Sequence, residues 1–205
     1  MEKGGEGFDN IAGMVGWENI IMSTLNTSAN KRFEGMTVQD IAKARGTDPV
    51  DCVCDMLIEE NCAITMIDFI TCEEDIARIL NCGFASVISD SIYPASGRPH
   101  PRLYGTYARI IQRFVGERRD MTLEAAVKAM TYNPAKALNI ADRGLLKEGL
   151  CADVNVFDPA EVKERGSYAD PDKCAAGMDY VFVNGKPAIA SGELTGGAFG
   201  QVIRR

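Results

Sequence analysis

A single histidine, His100, stands among 205 residues. That scarcity excludes a metal centre built from several imidazoles of this segment, since a catalytic zinc normally draws three protein ligands. No apolar run approaches the roughly 20 residues needed to cross a bilayer, which excludes a membrane span. Met1–Phe8, with Glu2, Glu6 and three glycines, lacks the basic and then apolar regions of a secretory leader, so a cytoplasmic location is expected. Basic residues are not in excess either: 22 Lys and Arg face 29 Asp and Glu, a net charge of −7 spread along the chain. This balance argues against nucleic acid or an anionic membrane surface as partner and for a small-molecule role. No cysteine pair has C-x-x-C spacing, and there is no repeat, low-complexity tract or linker. The seven cysteines (52, 54, 62, 72, 82, 151 and 174) therefore read as reduced, mostly buried thiols behaving as small hydrophobes. Cys52 and Cys54 sit two apart in a helical pattern and point apart, so no shared metal is expected.

What is present suits a globular α/β chain, with 46% hydrophobic and 25% charged residues. Thr37 can cap a short helix carrying Ile41 and Ala42. Asp48 and Pro49 form a cap and first-turn pair for a helix with Val50, Val53, Met56 and Leu57 on one face. An apolar run, Ala63 to Ile70, reads as a strand. Thr71 and Glu74 have capping-box spacing before the stripe Ile76, Ile79, Leu80, and a second strand is predicted at Phe84 to Ser89. Two nearly continuous apolar strands around a helix predict a parallel βαβ unit covered on both faces, with Asp90 at the end of the second strand. After a loop rich in Pro and Gly (Pro94, Gly97, Pro99, Pro101, Gly105), Tyr107, Ile110, Ile111, Phe114 and Val115 recur at helical spacing. Thr122 caps a helix with Leu123, Ala126, Val127 and Met130 inward, and Pro134 opens a further helical stretch through Leu138. From Asp142 the pattern turns to β: Val154 to Phe157, then Tyr180–Val183 and Lys186–Ile189 around Asn184-Gly185, a strong hairpin signal.

Three stretches together resemble the C-terminal part of N-acyl-D-amino-acid deacylases, the D-aminoacylase family of the amidohydrolase superfamily. They are Ile88-Ser-Asp-Ser91 with Gly97-Arg-Pro-His-Pro-Arg-Leu-Tyr-Gly-Thr106; Leu123-Glu-Ala-Ala-Val-Lys-Ala-Met-Thr131 with Asn133-Pro-Ala135; and Arg143-Gly-Leu-Leu-Lys-Glu-Gly149 with Ala152-Asp153, Phe157-Asp-Pro159, Val183-Asn-Gly185 and Leu194-Thr-Gly196. The resemblance runs from about Trp17 to Arg205. The third stretch is shared by dihydroorotase-like and hydantoinase-like enzymes, whereas the His-Pro-Arg loop ten residues after Asp90 points to the D-aminoacylase branch. The resemblance implies a (β/α)8 barrel, of which residues 1–141 are the last strands and helices, followed by a small β-subdomain at 142–205.

It also implies roles. Asp90, at a position where barrel enzymes place catalytic groups, would take a proton from the attacking water and deliver it to the departing nitrogen; the plain reading is an aspartate capping the next loop. Arg102, with Arg98 as substitute, would hold the substrate's α-carboxylate bidentately, against a structural salt bridge. His100 between two prolines reads as a loop-shaping hydrogen-bond partner or a residue supporting the substrate site rather than as a ligand. Ser91 has no base placed by sequence to activate it, and Lys128 and Met130 read as structural.

The resembled family draws its zinc ligands from an H-x-H motif, a bridging cysteine or lysine and two further histidines. None of these is in this chain, and the resemblance places them upstream of Met1. No metal ligand is therefore assigned here: zinc is expected in a complete parent enzyme, none in this chain alone, and the isolated chain is expected to be inactive. An N-terminal barrel portion and self-association through an open sheet edge are the expected protein contacts, and an N-acyl-D-amino acid the expected substrate. The rival readings are a non-catalytic remnant or interaction domain and a portion of a cyclic-amide hydrolase.

Overall fold

The computed structural model describes residue 7 and the ranges 9–93 and 96–204; most of the opening stretch and Pro94 of the proline-rich loop lie outside the described residues. The chain forms two compact units interleaved in sequence. The first comprises Met1–Cys72, Ser91–Leu103 and Ser167–Asp172, the second Glu73–Asp90, Tyr104–Gly166 and Lys173–Arg205. Among the described residues, no helix is long and apolar enough to cross a membrane.

In the first unit, α1 (Ile11–Val15) precedes β1 (Ile20–Thr24), which pairs antiparallel with β2 (Thr65–Asp68). Ile20 stands opposite Asp68 and Met22 opposite Met66, and the register shifts between Met22 and Thr24 so that Ser23 is the extra residue of a β-bulge. The helices between the strands begin where the sequence predicts. Thr37 Oγ1 accepts the Asp40 N–H at 3.1 Å to start α2 (Val38–Arg45), which stops at left-handed Gly46. Asp48 Oδ1 accepts the Val50 N–H at 2.8 Å and Pro49 fills the first turn of α3 (Pro49–Glu59). These helices and β1 bury Ile20, Met22, Leu25, Val38, Ile41 and Met56 in one core.

The parallel βαβ expectation is corrected. Its helix forms, as α4 (Glu73–Leu80) in the second unit, but β2 pairs antiparallel with β1, a strand not foreseen. The segment 84–89 joins no ladder among the described residues. It bonds through the Val87 N–H to the Ala129 carbonyl at 2.9 Å, and it leaves Phe84 87% and Ile88 66% exposed. An apolar run announces burial, whereas a strand needs a neighbour offering its edge. Asp90 consequently follows an irregular segment rather than ending a strand, and its φ of 46° is left-handed.

The rest of the second unit follows the predicted order. Helix α5 (Arg102–Arg109), whose first two residues belong to the first unit, continues as a π-helical stretch, Ile110–Glu117, that buries Ile110, Ile111 and Phe114. Thr122 Oγ1 accepts the Ala125 N–H at 3.2 Å ahead of α6 (Leu123–Met130), and α7 (Tyr132–Ala137) follows. Strands β3 (Val154–Phe157), β4 (Met178–Val183), β5 (Lys186–Ala190) and β6 (Glu193–Leu194) make an antiparallel meander. Asn184 and Gly185 take φ of 50° and 75° at the β4–β5 turn, as the hairpin signal required. Arg143 pairs with Asp153 and donates to Asn184 Oδ1 at 2.7 Å, which fastens this turn to the chain before β3. One composition reading is corrected as well: Cys52 is buried, but Cys54, Cys62, Cys72, Cys82 and Cys174 are exposed. Cys54 shows why, because two positions along a helix from buried Cys52 lies nearly the opposite face.

Two constraints hold the first unit. Glu60, at the end of α3 and 3% exposed, accepts from the Asn26 N–H at 2.7 Å, from Thr27 through both its N–H and its hydroxyl, and from Asn30 Nδ2 at 3.0 Å. Burial pushes this carboxyl up, but the donors from Thr27, Asn26 and Asn30 prevail and hold it at about 2. The second is the seating of the loop 96–102 on β1. The Arg98 N–H donates to the Ser23 carbonyl at 2.8 Å and Thr24 Oγ1 to the Ser96 carbonyl at 3.3 Å. Gly97, at φ +96°, lies so close that a Cβ would stand 2.6 Å from Thr24 Oγ1 and 2.9 Å from the Ser23 carbonyl oxygen.

Because the Glu60 carboxyl is depressed below its ordinary 4.5, its stabilisation is present above that pH and is lost as pH falls toward 2. Glu60→Gln should lower stability by about 3 kcal/mol near neutral pH, and the gap to wild type should shrink on acidification; urea unfolding at pH 7 and pH 3 tests this, and equal gaps at the two pH values would refute it. Gly97→Ala should cost about 3 kcal/mol through left-handed strain and backbone overlap. An unchanged urea midpoint for that variant would show that the loop is not seated as described.

Candidate functional site

The bulge at Ser23 and the seated loop together enclose a cavity of about 90 Å³ in the first unit. Its polar lining comes from Ser23 and Thr65 on the paired strands and from Ser91, His100 and Arg102 of the segment after Asp90, with apolar walls that include Met66 and Ile92. Two of the four predicted site residues, His100 and Arg102, are thus brought to one place. Arg98 is not: its guanidinium packs over Gly35, and it serves the loop through its backbone N–H. Asp90 is exposed and belongs to the second unit.

His100 has the loop-shaping role its flanking prolines suggested. Its Nδ1 accepts the Arg102 N–H at 3.0 Å and its carbonyl accepts the Leu103 N–H at 3.0 Å, so the ring opens α5. The other face meets Tyr168, edge-on at 5.2 Å with the phenol oxygen 3.5 Å from Nε2, and Tyr168 in turn packs on Phe69. A ring nitrogen that accepts a backbone N–H has no lone pair left for a metal at that atom.

Ser23 and Thr65 were missed by sequence reasoning. Their hydroxyls are 2.7 Å apart across the β1–β2 ladder, and Ser23 is 4% exposed. The residues are 42 positions apart and no spacing rule joins them; the run Ile20-Ile21-Met22 was the available signal for the strand itself, but nothing announces its bulge.

A larger cavity, about 250 Å³, lies in the second unit and is lined by Glu73, Arg109, Gln112, Arg113, Glu117 and Glu164. Glu73 meets Arg109, Arg113 and Arg118 within 3.2 Å, Arg109 also meets Glu164, and Arg113 meets Glu117. The hydrogen bond from Arg113 leads the effects that hold the Glu73 carboxyl below its ordinary range. Because these charges neutralise one another, the network reads as a tie between α4 and the helix that follows α5.

The residues present do not fit a catalytic zinc. Among the described residues no group of three or more His, Cys, Asp or Glu could hold a metal ion, and His100 Nδ1 is engaged with backbone.

Comparison with known proteins shows the family. A profile described as Amidohydrolase family matches residues 26–189. The D-aminoacylase of Alcaligenes xylosoxydans xylosoxydans is 35% identical over 173 residues, 84% of this chain and 34% of that protein. The N-acyl-D-glutamate deacylase of the same organism is 38% identical over 74% of this chain and 30% of its own length. Among solved structures, the N-acyl-D-glutamate deacylase of Bordetella bronchiseptica, complexed with zinc and a phosphonate mimic of the tetrahedral intermediate, superposes with a TM-score of 0.82 at 32% identity, covering 96% of this chain and 40% of that one. A D-aminoacylase structure gives 0.80 at 32% identity, covering 91% and 38%. The chain therefore spans about a third of the length of the curated relatives it matches. With the profile over most of its length and folds of this kind superposing on nearly all of it, the chain belongs to the amidohydrolase family and is similar, within it, to the D-aminoacylases.

Proposed function

We propose that this chain is the C-terminal part of a (β/α)8 amidohydrolase barrel, with residues 1–141 contributing barrel elements and 142–205 the β-subdomain, and that the complete parent hydrolyses the amide bond of N-acyl-D-amino acids. The observation that carries the reading is the cavity lined by Arg102, His100 and Ser91, in the segment that directly follows Asp90. A planar guanidinium in a partly apolar cavity suits the α-carboxylate that every acyl amino acid carries. Asp90 takes a proton from the water whose oxygen bonds to the acyl carbon. As the C–N bond breaks, the same proton passes to the departing nitrogen, leaving a carboxylate and a free D-amino acid.

Zinc belongs to the parent in this reading, and no step of it is assigned to a metal on this chain. The segment 84–89 supports the need for a partner: apolar Phe84 and Ile88 are exposed. An N-terminal barrel portion is the occupant this reading requires.

Purification of the chain alone and with an N-terminal amidohydrolase portion, followed by metal analysis and assay on an N-acetyl-D-amino acid, tests the proposal. The isolated chain should carry less than stoichiometric zinc and show no deacylation, and the pair should be active. In the pair, Asp90→Ala should lower kcat by about 10²–10⁴-fold with zinc retained. Stoichiometric zinc on the isolated chain, full activity of the Asp90→Ala pair, or turnover of hydantoins in place of acyl-D-amino acids would each overturn it.

A further inference from the structure

We infer that the Ser23–Thr65 hydroxyl pair is a second substrate-binding element, donating a hydrogen bond to the same carboxylate that Arg102 pairs with; the inference rests on the reading of Arg102 given above. The argument is one of hydrogen accounting. Two hydroxyls hold two hydrogens and several lone pairs. The contact between them, at 2.7 Å, uses one hydrogen, whichever residue donates. The other hydrogen belongs to whichever oxygen accepts, and both residues line the cavity. Ser23 is buried whereas Thr65 is exposed, and for the spare hydrogen on either oxygen a carboxylate oxygen in the cavity is a stronger acceptor than water.

The backbone is arranged for this presentation. The bulge places Ser23 out of the regular alternation of β1, and its carbonyl is held by the Arg98 N–H at 2.8 Å. The strand that carries the hydroxyl is therefore fixed by the same loop that carries Arg102. Thr65 answers from β2 across the ladder. Size sets what enters: a cavity of about 150 Å³ holds benzene, so 90 Å³ admits the carboxylate and the atoms next to it and leaves the acyl group outside.

Binding of N-acetyl-D-alanine and of its methyl amide, which lacks the carboxylate, to the full chain separates the possibilities. The wild type should bind the acid at least about tenfold more tightly than the amide. Each single variant leaves one hydroxyl able to donate, so the pair is read from the double variant Ser23→Ala with Thr65→Val. That variant should lose about tenfold in affinity for the acid with the amide unchanged, whereas Ser23→Thr with Thr65→Ser, which keeps both hydroxyls, should stay within about twofold of wild type. Equal weakening of acid and amide marks a merely structural role and overturns the inference. Loss of discrimination in Arg102→Ala with discrimination kept in the double variant overturns the hydroxyl pair and leaves the reading of the cavity standing. No discrimination by the wild type overturns both. Should the double variant not fold, the hydroxyl proton resonances of Ser23 and Thr65 in the wild type decide: they should shift on addition of N-acetyl-D-alanine and not of the amide, and their failure to shift counts against the pair.

Discussion

A backbone hydrogen bond, Arg98 N–H to the Ser23 carbonyl, holds together the parts of the first unit that line its cavity. It joins the proline-rich loop to the bulge of β1, and it exists because Gly97 lets two backbones approach more closely than any side chain would allow. From that contact the rest is set in order. The loop runs on through buried Pro99 and Pro101, whose fixed φ stiffens it. His100 then caps the first turn of α5, and Arg102 lines the cavity beside the strands. Backbone packing and two prolines thus hold the loop in place.

The same contact explains why a lone histidine in a family known for metals is better regarded as architecture. An imidazole whose Nδ1 accepts a backbone N–H and whose ring meets Tyr168 edge-on is held in one orientation. What that orientation fixes is the start of the helix that carries Arg102. The histidine thereby acts on the cavity through the residue two positions after it.

Much of the fold was legible because its signals are local. Thr37, Asp48 and Thr122 each accept an N–H of the helix they precede, and Asn184-Gly185 turns where its φ preferences demand. What was not legible is long-range. The runs around residues 63–70 and 84–89 look alike in hydropathy, yet one finds β1 as an antiparallel neighbour and the other joins no ladder among the described residues, and nothing within either run says which. The site divides in the same way. Arg102 and His100 line one cavity because they share one short motif, whereas Ser23 and Thr65, 42 positions apart, come together only through the β1–β2 ladder.

The two cavities show why chemistry and size part company. The larger one is rimmed by arginines and glutamates that already satisfy one another, so a charged ligand entering it must break ion pairs to make new ones, and exposed pairs of that kind contribute little either way. The smaller one presents hydroxyls and a guanidinium against apolar walls, where a hydrogen bond gains strength from the lower local dielectric. In the proposed function, recognition of a single anionic group falls to the second arrangement. A strand bulge and a seated loop are sufficient to build it, without the acidic and basic clusters that make the first look more conspicuous.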